Sequence, residues 1–205
     1  MPRIKSVSIR VAQPDDAQAI LDIYAPYIRD TVITFTSKIP TILEISNKMT
    51  SIKERYPYLV CAIDDCVVGF AYAGSVRPHE AYIWNSELSI YVDPKYHGRG
   101  IATALYTALL SILKAQGFCN LYAVITLPND ASIALHKHFG FTELGVHEAC
   151  GYKLGAWRDV LWMIHRIQGC ADPELGPPRT LESLNQNDID TACATATALL
   201  SGAQS

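Results

Sequence analysis

The sequence carries no run of basic residues and no large excess of either charge. Its 17 Lys and Arg stand against 20 Asp and Glu, a net charge of −3. That balance lacks the positive footprint of a nucleic-acid-binding surface, so no nucleic-acid partner is expected. There is no uninterrupted apolar stretch of membrane-spanning length, which argues against a membrane partner. The opening residues Met1-Pro2-Arg3-Ile4-Lys5 lack the apolar core of a secretion signal, so a cytoplasmic location is expected. The six cysteines (Cys61, Cys66, Cys119, Cys150, Cys170 and Cys193) form no Cys-x-x-Cys, and no histidine stands at zinc-ligand spacing. No metal is therefore expected. Cys61 and Cys66 flank Asp64-Asp65, which reads as a two-residue hairpin turn. That turn would set Ile63 opposite Cys66 and Cys61 opposite Val68, leaving the two sulfurs out of register and reduced. No internal repeat is visible.

What is present fits a globular fold. Of the residues, 49% are hydrophobic and 18% charged, enough apolar mass for a sizeable core and too little charge for a disordered chain. At 205 residues the chain is long enough for one domain with a tail. Alternation at Val7, Ile9 and Val11 predicts a first strand. Pro14 with Asp15 and Asp16 marks a helix start, and Ile20, Ile23, Tyr24, Tyr27 and Ile28 give that helix an apolar face. Thr41-Ile42-Leu43-Glu44 reads as a capping box opening a second helix, with Ile45, Met49 and Ile52 inward. Residues 58–63 and 66–74 predict a hairpin, followed by a polar connection through residue 86. A strand over Glu87–Val92, a helix ending at Gly117, a strand over 121–126, a short helix over 131–139 and two last strands at 142–146 and 157–166 complete the plan. A glycine-rich loop at 151–155 is expected between those last two strands. The order predicts an α+β fold with a central, mostly antiparallel mixed sheet. After Gln168 the composition turns to Pro, Ser, Asn, Gln, Thr and Ala, so the domain is read as 1–167 and 168–205 as a tail expected to be disordered; the alternative within it is a weak helix over Asp188 to Leu200, whose face has large apolar residues only at Leu199 and Leu200.

The stretch from Glu87 to Ala115 organises the rest. A short strand turns at Asp93-Pro94 and passes through His97-Gly98-Arg99-Gly100-Ile101-Ala102 into a helix. Ile101, Leu105, Ala108, Leu109 and Ile112 recur along that helix at the spacing of one apolar face. Glycines let a backbone come close to a ligand, and the unpaired N–H groups of a first helical turn point at it, so the loop suits an anion such as a pyrophosphate. It is neither a P-loop nor a Gly-x-Gly-x-x-Gly fingerprint. It resembles the acyl-CoA-binding loop of the GCN5-related N-acetyltransferases (GNAT), Gln/Arg-x-x-Gly-x-Gly/Ala, with His97 at the first position. Asn129-Asp130-Ala131-Ser132-Ile133-Ala134-Leu135-His136-Lys137-His138-Phe139-Gly140-Phe141 resembles the family's other segment, in which a Tyr usually stands where this chain has His136.

Further runs narrow the resemblance. Ala81-Tyr82-Ile83-Trp84-Asn85-Ser86-Glu87, Leu127-Pro128-Asn129-Asp130 and Gly151-Tyr152-Lys153-Leu154-Gly155-Ala156-Trp157-Arg158-Asp159-Val160 look like the phosphinothricin and methionine sulfoximine N-acetyltransferase branch. Thr36 follows Phe35 where that branch commonly has Glu. The resemblance implies a GNAT fold with splayed middle strands flanked by helices, acetyl-CoA as co-substrate and a homodimer. It implies pantetheine contacts from Ile90, Tyr91, Val92 and Asn129, and a pyrophosphate cradle from Gly98, Arg99, Gly100, Ile101, Ala102 and Thr103. His136 would protonate or hydrogen-bond the departing thiolate. Glu87, opening the strand that carries the thioester, would be the base that takes a proton from the attacking amine. An amine whose pKa lies two units above ambient pH costs about 2.7 kcal/mol to neutralise, so such a base has work to do. A glutamate-like acceptor calls for cations and hydroxyls, and the candidates are Arg77, Tyr82 and Lys153 with Phe35 as an apolar wall. The activity implied is acetyl transfer to the α-amine of a small amino-acid analogue, a detoxification that would confer herbicide resistance. Two alternatives stand beside it: the same chemistry on another amine (amino acid, polyamine or peptide N-terminus) and a non-catalytic acyl-CoA-binding module.

Overall fold

The computed structural model describes residues 6–169 and 176–202. In chain order these form β1 (Val7–Val11), α1 (Ala17–Asp30), α2 (Ile42–Lys53), β2 (Tyr58–Ile63), β3 (Cys66–Ser75), β4 (Asn85–Val92), α3 (Ile101–Gln116), β5 (Asn120–Thr126), α4 (Asp130–His138), β6 (Thr142–Lys153), β7 (Ala156–Arg166) and α5 (Gln186–Gly202). The strands make one seven-stranded sheet in the order β1-β2-β3-β4-β5-β7-β6. Every neighbouring pair is antiparallel except β4 and β5.

The two faces of the sheet carry separate cores. Tyr58, Val60 and Phe70 meet Ile20, Ile23, Tyr24 and Tyr27 of α1 and Ile45 and Met49 of α2. Leu59, Ala71, Leu88 and Val92 meet α3 through Ile101, Leu105, Leu109 and Ile112. Period two in the strands and period 3.6 in the helices generate this division. Each fully buried Leu or Ile contributes about 1.5–3 kcal/mol relative to exposure, so α3, the most enclosed helix, anchors the site that its N-terminus helps to build. The helix ends follow local chemistry. Thr41 and Glu44 exchange hydrogen bonds as the capping box, and Gly117, at φ 98°, closes α3.

The structure differs from the sequence reading in three places. Asp64 and Asp65, at φ 47° and 64°, make the two-residue turn, and Ile63 pairs with Cys66, but Cys61 pairs with Gly69 rather than facing Val68. A bulge between Cys61 and Ala62 leaves Val68 as the extra residue. Cys61 and Cys66 remain free thiols. Second, β6 does not stop at Val146. It runs to Lys153 through irregularities at Glu143/Gly145 and His147/Gly151, and the connection shrinks to Leu154-Gly155. Glycine breaks the alternating pattern in the sequence, whereas the folded strand absorbs it as bulges.

The third difference is the tail. Residues 186–202 form α5, which packs antiparallel along α3 and against β1, burying Ile189, Ala192, Cys193, Ala196 and Leu200. The buried residues are mostly small, which is why their helical spacing is faint on a hydropathy reading. Tight approach substitutes for bulk. Thr197 Oγ1 accepts the Ile9 backbone N–H at 2.9 Å, Arg179 donates to the Ala115 carbonyl at 2.6 Å, and Trp84 Nε1 donates to the Gly176 carbonyl at 3.0 Å. The parts of the expected tail at 170–175 and 203–205 lie outside the described residues. Among the described residues no helix is long and apolar enough to cross a membrane.

Candidate active site

The site is built where β4 and β5 separate. Only Asn85, Ser86 and Glu87 pair with β5, opposite Asn120, Leu121 and Tyr122. From Leu88 to Val92 the β5-facing edge of β4 pairs with no strand of the described residues. That open edge is free to hydrogen-bond an extended ligand. Two continuous cavities run along it. One, of about 400 Å³, lies between Ile90–Val92, the turn at Gly98 and Gly100, the α3 N-terminus and the start of α4. The other, of about 290 Å³, continues past Glu87 to the loop at Thr34–Thr36. Ile90, Tyr91, Asn129 and Ser132 line both.

The first cavity suits a diphosphate-bearing coenzyme arm. Gly98 and Gly100 sit at φ 74° and 77°, the left-handed region that other residues enter at a cost. A side chain at Gly98 would meet open space, and one at Gly100 only Leu200 at 3.7 Å. Glycine is therefore required here by backbone conformation, and the space beside it is free. The N–H groups of Ile101, Ala102 and Thr103 begin α3 without intrahelical acceptors, and Ile101, Ala102 and Thr103 line the cavity. Arg99 lies outside it, its guanidinium 5.0 Å from the centre of the Tyr96 ring. His97 Nε2 stands 3.0 Å from both the Val92 carbonyl and the Tyr27 hydroxyl, and Tyr27 donates to that carbonyl at 2.6 Å. His97 thus ties the end of β4 to the turn. Asn129 caps α4, its Oδ1 accepting the Ser132 N–H at 3.2 Å, which leaves its amide nitrogen for a ligand in the cavity it lines.

Glu87 lines the second cavity, and burial raises its carboxyl above the ordinary carboxylate range. Tyr106 of α3 and His136 of α4 line the same cavity and touch each other, with Tyr106 Oη 2.7 Å from His136 Nε2. His136 Nδ1 lies 2.7 Å from the Ser132 carbonyl. A carbonyl can only accept, so Nδ1 carries the ring proton and Nε2 accepts from the Tyr106 hydroxyl. Burial lowers the His136 pKa, opposed by the bond to Ser132, and so favours this neutral ring. As arranged, the imidazole has no second proton to give, and the Tyr106 hydroxyl is the donor of the pair. The Tyr106 phenol is itself pushed upward, first by burial and then by the Glu87 charge.

The acceptor candidates are dispersed. Phe35 lines the cavity and packs on Gly151, where a Cβ would come within 2.3 Å of its ring. Arg77 and Tyr82, in the exposed connection after β3, do not line it. Lys153 is buried behind the loop, and its ammonium donates to the Thr34 carbonyl at 2.6 Å. It holds the loop that carries Phe35, and burial lowers its pKa. Three residues absent from the sequence reading line the cleft: Tyr106, Tyr72 and Lys48. Tyr106 is not among the apolar-face positions that the sequence assigns to α3, and Lys48 is a polar position of α2. Neither carries a local signal. Among the described residues no group of three His, Cys, Asp or Glu side chains is placed to hold a metal ion.

Comparison with known proteins agrees with this geometry. Residues 9–162 match the acetyltransferase (GNAT) domain family. The chain is 37% identical over 187 residues to a phosphinothricin N-acetyltransferase of Streptomyces viridochromogenes, covering 90% of this chain and 98% of that protein. It is 34% identical to an L-methionine sulfoximine/L-methionine sulfone acetyltransferase of Pseudomonas aeruginosa, covering 77% and 93%. Among solved structures, a phosphinothricin acetyltransferase from Sinorhizobium meliloti in complex with AcCoA superposes with a TM-score of 0.80 at 32% identity, covering 86% of this chain and 99% of that one.

Proposed function

The chain belongs to the GNAT acetyltransferase family, and from that premise we propose that it moves the acetyl group of acetyl-CoA to the α-amine of a small amino-acid analogue such as phosphinothricin, methionine sulfoximine or methionine sulfone. One observation carries the reading: a half-buried carboxyl of raised pKa, Glu87, stands at the point where β4 and β5 part, at the end of a cavity that begins at the Gly98–Thr103 turn. The names of the two relatives supply the acceptor class.

Bound acetyl-CoA supplies an activated acetyl thioester. The protein's part is positional and electrostatic. Main-chain N–H groups at Ile101–Thr103 hold the diphosphate, and the open edge of Ile90–Val92 and the Asn129 amide align the pantetheine. In its ionised form Glu87 accepts the proton that the acceptor amine loses as it attacks. The raised pKa makes it a stronger base than an exposed glutamate. An N–H of the β4 edge near Leu88 faces the oxygen on which charge develops. At the thiol end, Tyr106 turns its hydroxyl proton from His136 Nε2 toward the sulfur as negative charge appears there. His136 fixes the phenol and takes no proton itself.

The assembly is a homodimer. In support, the terminal strand β6 is exposed along both faces, and Leu144, Tyr152 and Trp157 show 54%, 63% and 64% of their surface to solvent. A cytoplasmic place fits the free thiols Cys61, Cys66, Cys150 and Cys193, and the resulting role is detoxification, including resistance to phosphinothricin as a herbicide. The test is release of free thiol from acetyl-CoA across a panel of phosphinothricin, methionine sulfoximine, methionine sulfone, ordinary amino acids, a polyamine and a peptide. The expected outcome is turnover concentrated on the first three. Preference for polyamine or peptide would replace the acceptor class, and no thiol release with any amine would replace the function.

A further inference from the structure

The acceptor end of the cleft contains a cation that the sequence did not single out. Lys48 lies on α2, one turn after the inward-facing Ile45. Its ammonium donates to the Tyr72 hydroxyl at 2.9 Å and sits 4.7 Å from the centre of the Tyr72 ring. Tyr72 stands on β3 directly opposite Ser89 of β4. Directly opposed residues share a face, as do residues two apart on one strand, so Tyr72, Ser89 and Glu87 present their side chains to the same side of the sheet. Lys48, Tyr72 and Glu87 line one cavity.

The alternatives for anchoring an anion are engaged or elsewhere. Lys153 holds the Thr34 carbonyl from behind the loop, and Arg77 does not reach the cavity. Lys48 is the one lysine or arginine among the described residues that lines the cavity, and it takes part in none of the three ion pairs found among them. A hydroxyl accepting from an ammonium fixes its position without neutralising it, so the charge stays available to a ligand.

We propose that Lys48, held by Tyr72, is the residue that selects an anionic acceptor: it binds an acidic group of the incoming amine while Glu87 faces the nitrogen. This rests on the acetyl-transfer reading of the same cleft and names its specificity device. The acidic group is an oxyanion, either the α-carboxylate or a distal acid such as a phosphinate, and the experiment separates the two.

The experiment compares the parent with Lys48→Gln and Lys48→Glu, using acetyl-CoA with phosphinothricin, methionine sulfone and methionine sulfone carboxamide. Lys48 is solvent-exposed on a capped helix, so the variants are expected to fold. Lys48→Gln is expected to raise the KM for the anchored acids roughly ten- to hundredfold, and Lys48→Glu further, with the KM for acetyl-CoA and for the carboxamide unchanged. Equal losses for the two acids identify the α-carboxylate. A loss confined to phosphinothricin identifies the distal acid. Calorimetric titration of each acceptor into the enzyme–CoA complex reads the same contrast without turnover. Unchanged acid affinity in Lys48→Gln, or a carboxamide penalised as heavily as the acids, overturns the proposal while leaving acetyl transfer intact. A parent that neither binds nor acetylates any of the three acceptors overturns both.

Discussion

Glu87 faces the cleft from the last position at which β4 still pairs with β5, and burial lifts its carboxyl above the usual carboxylate range. A base works only when ionised. Activity therefore falls as pH drops through that raised pKa, so the acid limb of the kcat/KM profile should lie above the ordinary glutamate value of about 4.3. A limb at or below that value would contradict the assignment. Tyr106→Phe removes the hydroxyl that His136 Nε2 accepts. An unsatisfied buried acceptor costs about 1–3 kcal/mol, and the proposed thiolate donor disappears with it. The expected result is a lower melting temperature together with a fall in kcat of about tenfold or more at unchanged acetyl-CoA affinity. A melting shift with full kcat would make Tyr106 purely structural. Glu87 was legible in the sequence because it opens a strand beside a recognisable loop. Tyr106 was not, because it lies off the apolar face read for α3 and its partner His136 comes from α4, far along the chain. Lys153 was legible as important but not as what it is. Sequence shows a cation, whereas only the fold shows its ammonium under the Thr34 carbonyl.

At the level of elements, the turn before α3 and the end of β6 depend on glycine for different reasons. Gly100 needs its left-handed backbone at φ 77°. Gly100→Ala forces a side chain into that region at about 1–2 kcal/mol and should raise the KM for acetyl-CoA while leaving acceptor discrimination intact. Gly151 needs the absence of a side chain, since a Cβ there would come within 2.3–2.8 Å of three atoms of the Phe35 ring. The ring is the end of a flexible side chain and can swing away, so Gly151→Ala should cost little stability and act on the acceptor KM instead. An effect confined to acetyl-CoA would show that Phe35 does not wall the acceptor site. The strand–turn–helix around Gly98–Thr103 was readable because its chemistry is local. The span of β6 was not, because its two irregularities are settled by β7 across the sheet and leave no mark in the local pattern.

Across the whole molecule, the coenzyme turn is connected to the C-terminal helix. α5 runs along α3, and Leu200 approaches Gly100, so the far end of the described chain packs beside the coenzyme site. Leu200→Ala opens a buried position and should destabilise the fold by about 2–5 kcal/mol. Truncation before residue 176 should go further, removing Ile189, Ala192 and Ala196 of α5, uncovering the α3 face they pack against and freeing the Ile9 N–H, with an unchanged melting temperature as the contrary result. Sequence composition hides this because small residues buried by close approach resemble those of a solvated tail. The central claim is that the carboxyl at the parting of β4 and β5 removes the amine proton during acetyl transfer. It is tested most directly by measuring thiol release from acetyl-CoA with methionine sulfoximine as acceptor, in parent and Glu87→Gln enzyme. The account predicts that turnover falls by about a hundredfold or more while acetyl-CoA affinity stays the same, and equal turnover in the two enzymes would contradict it.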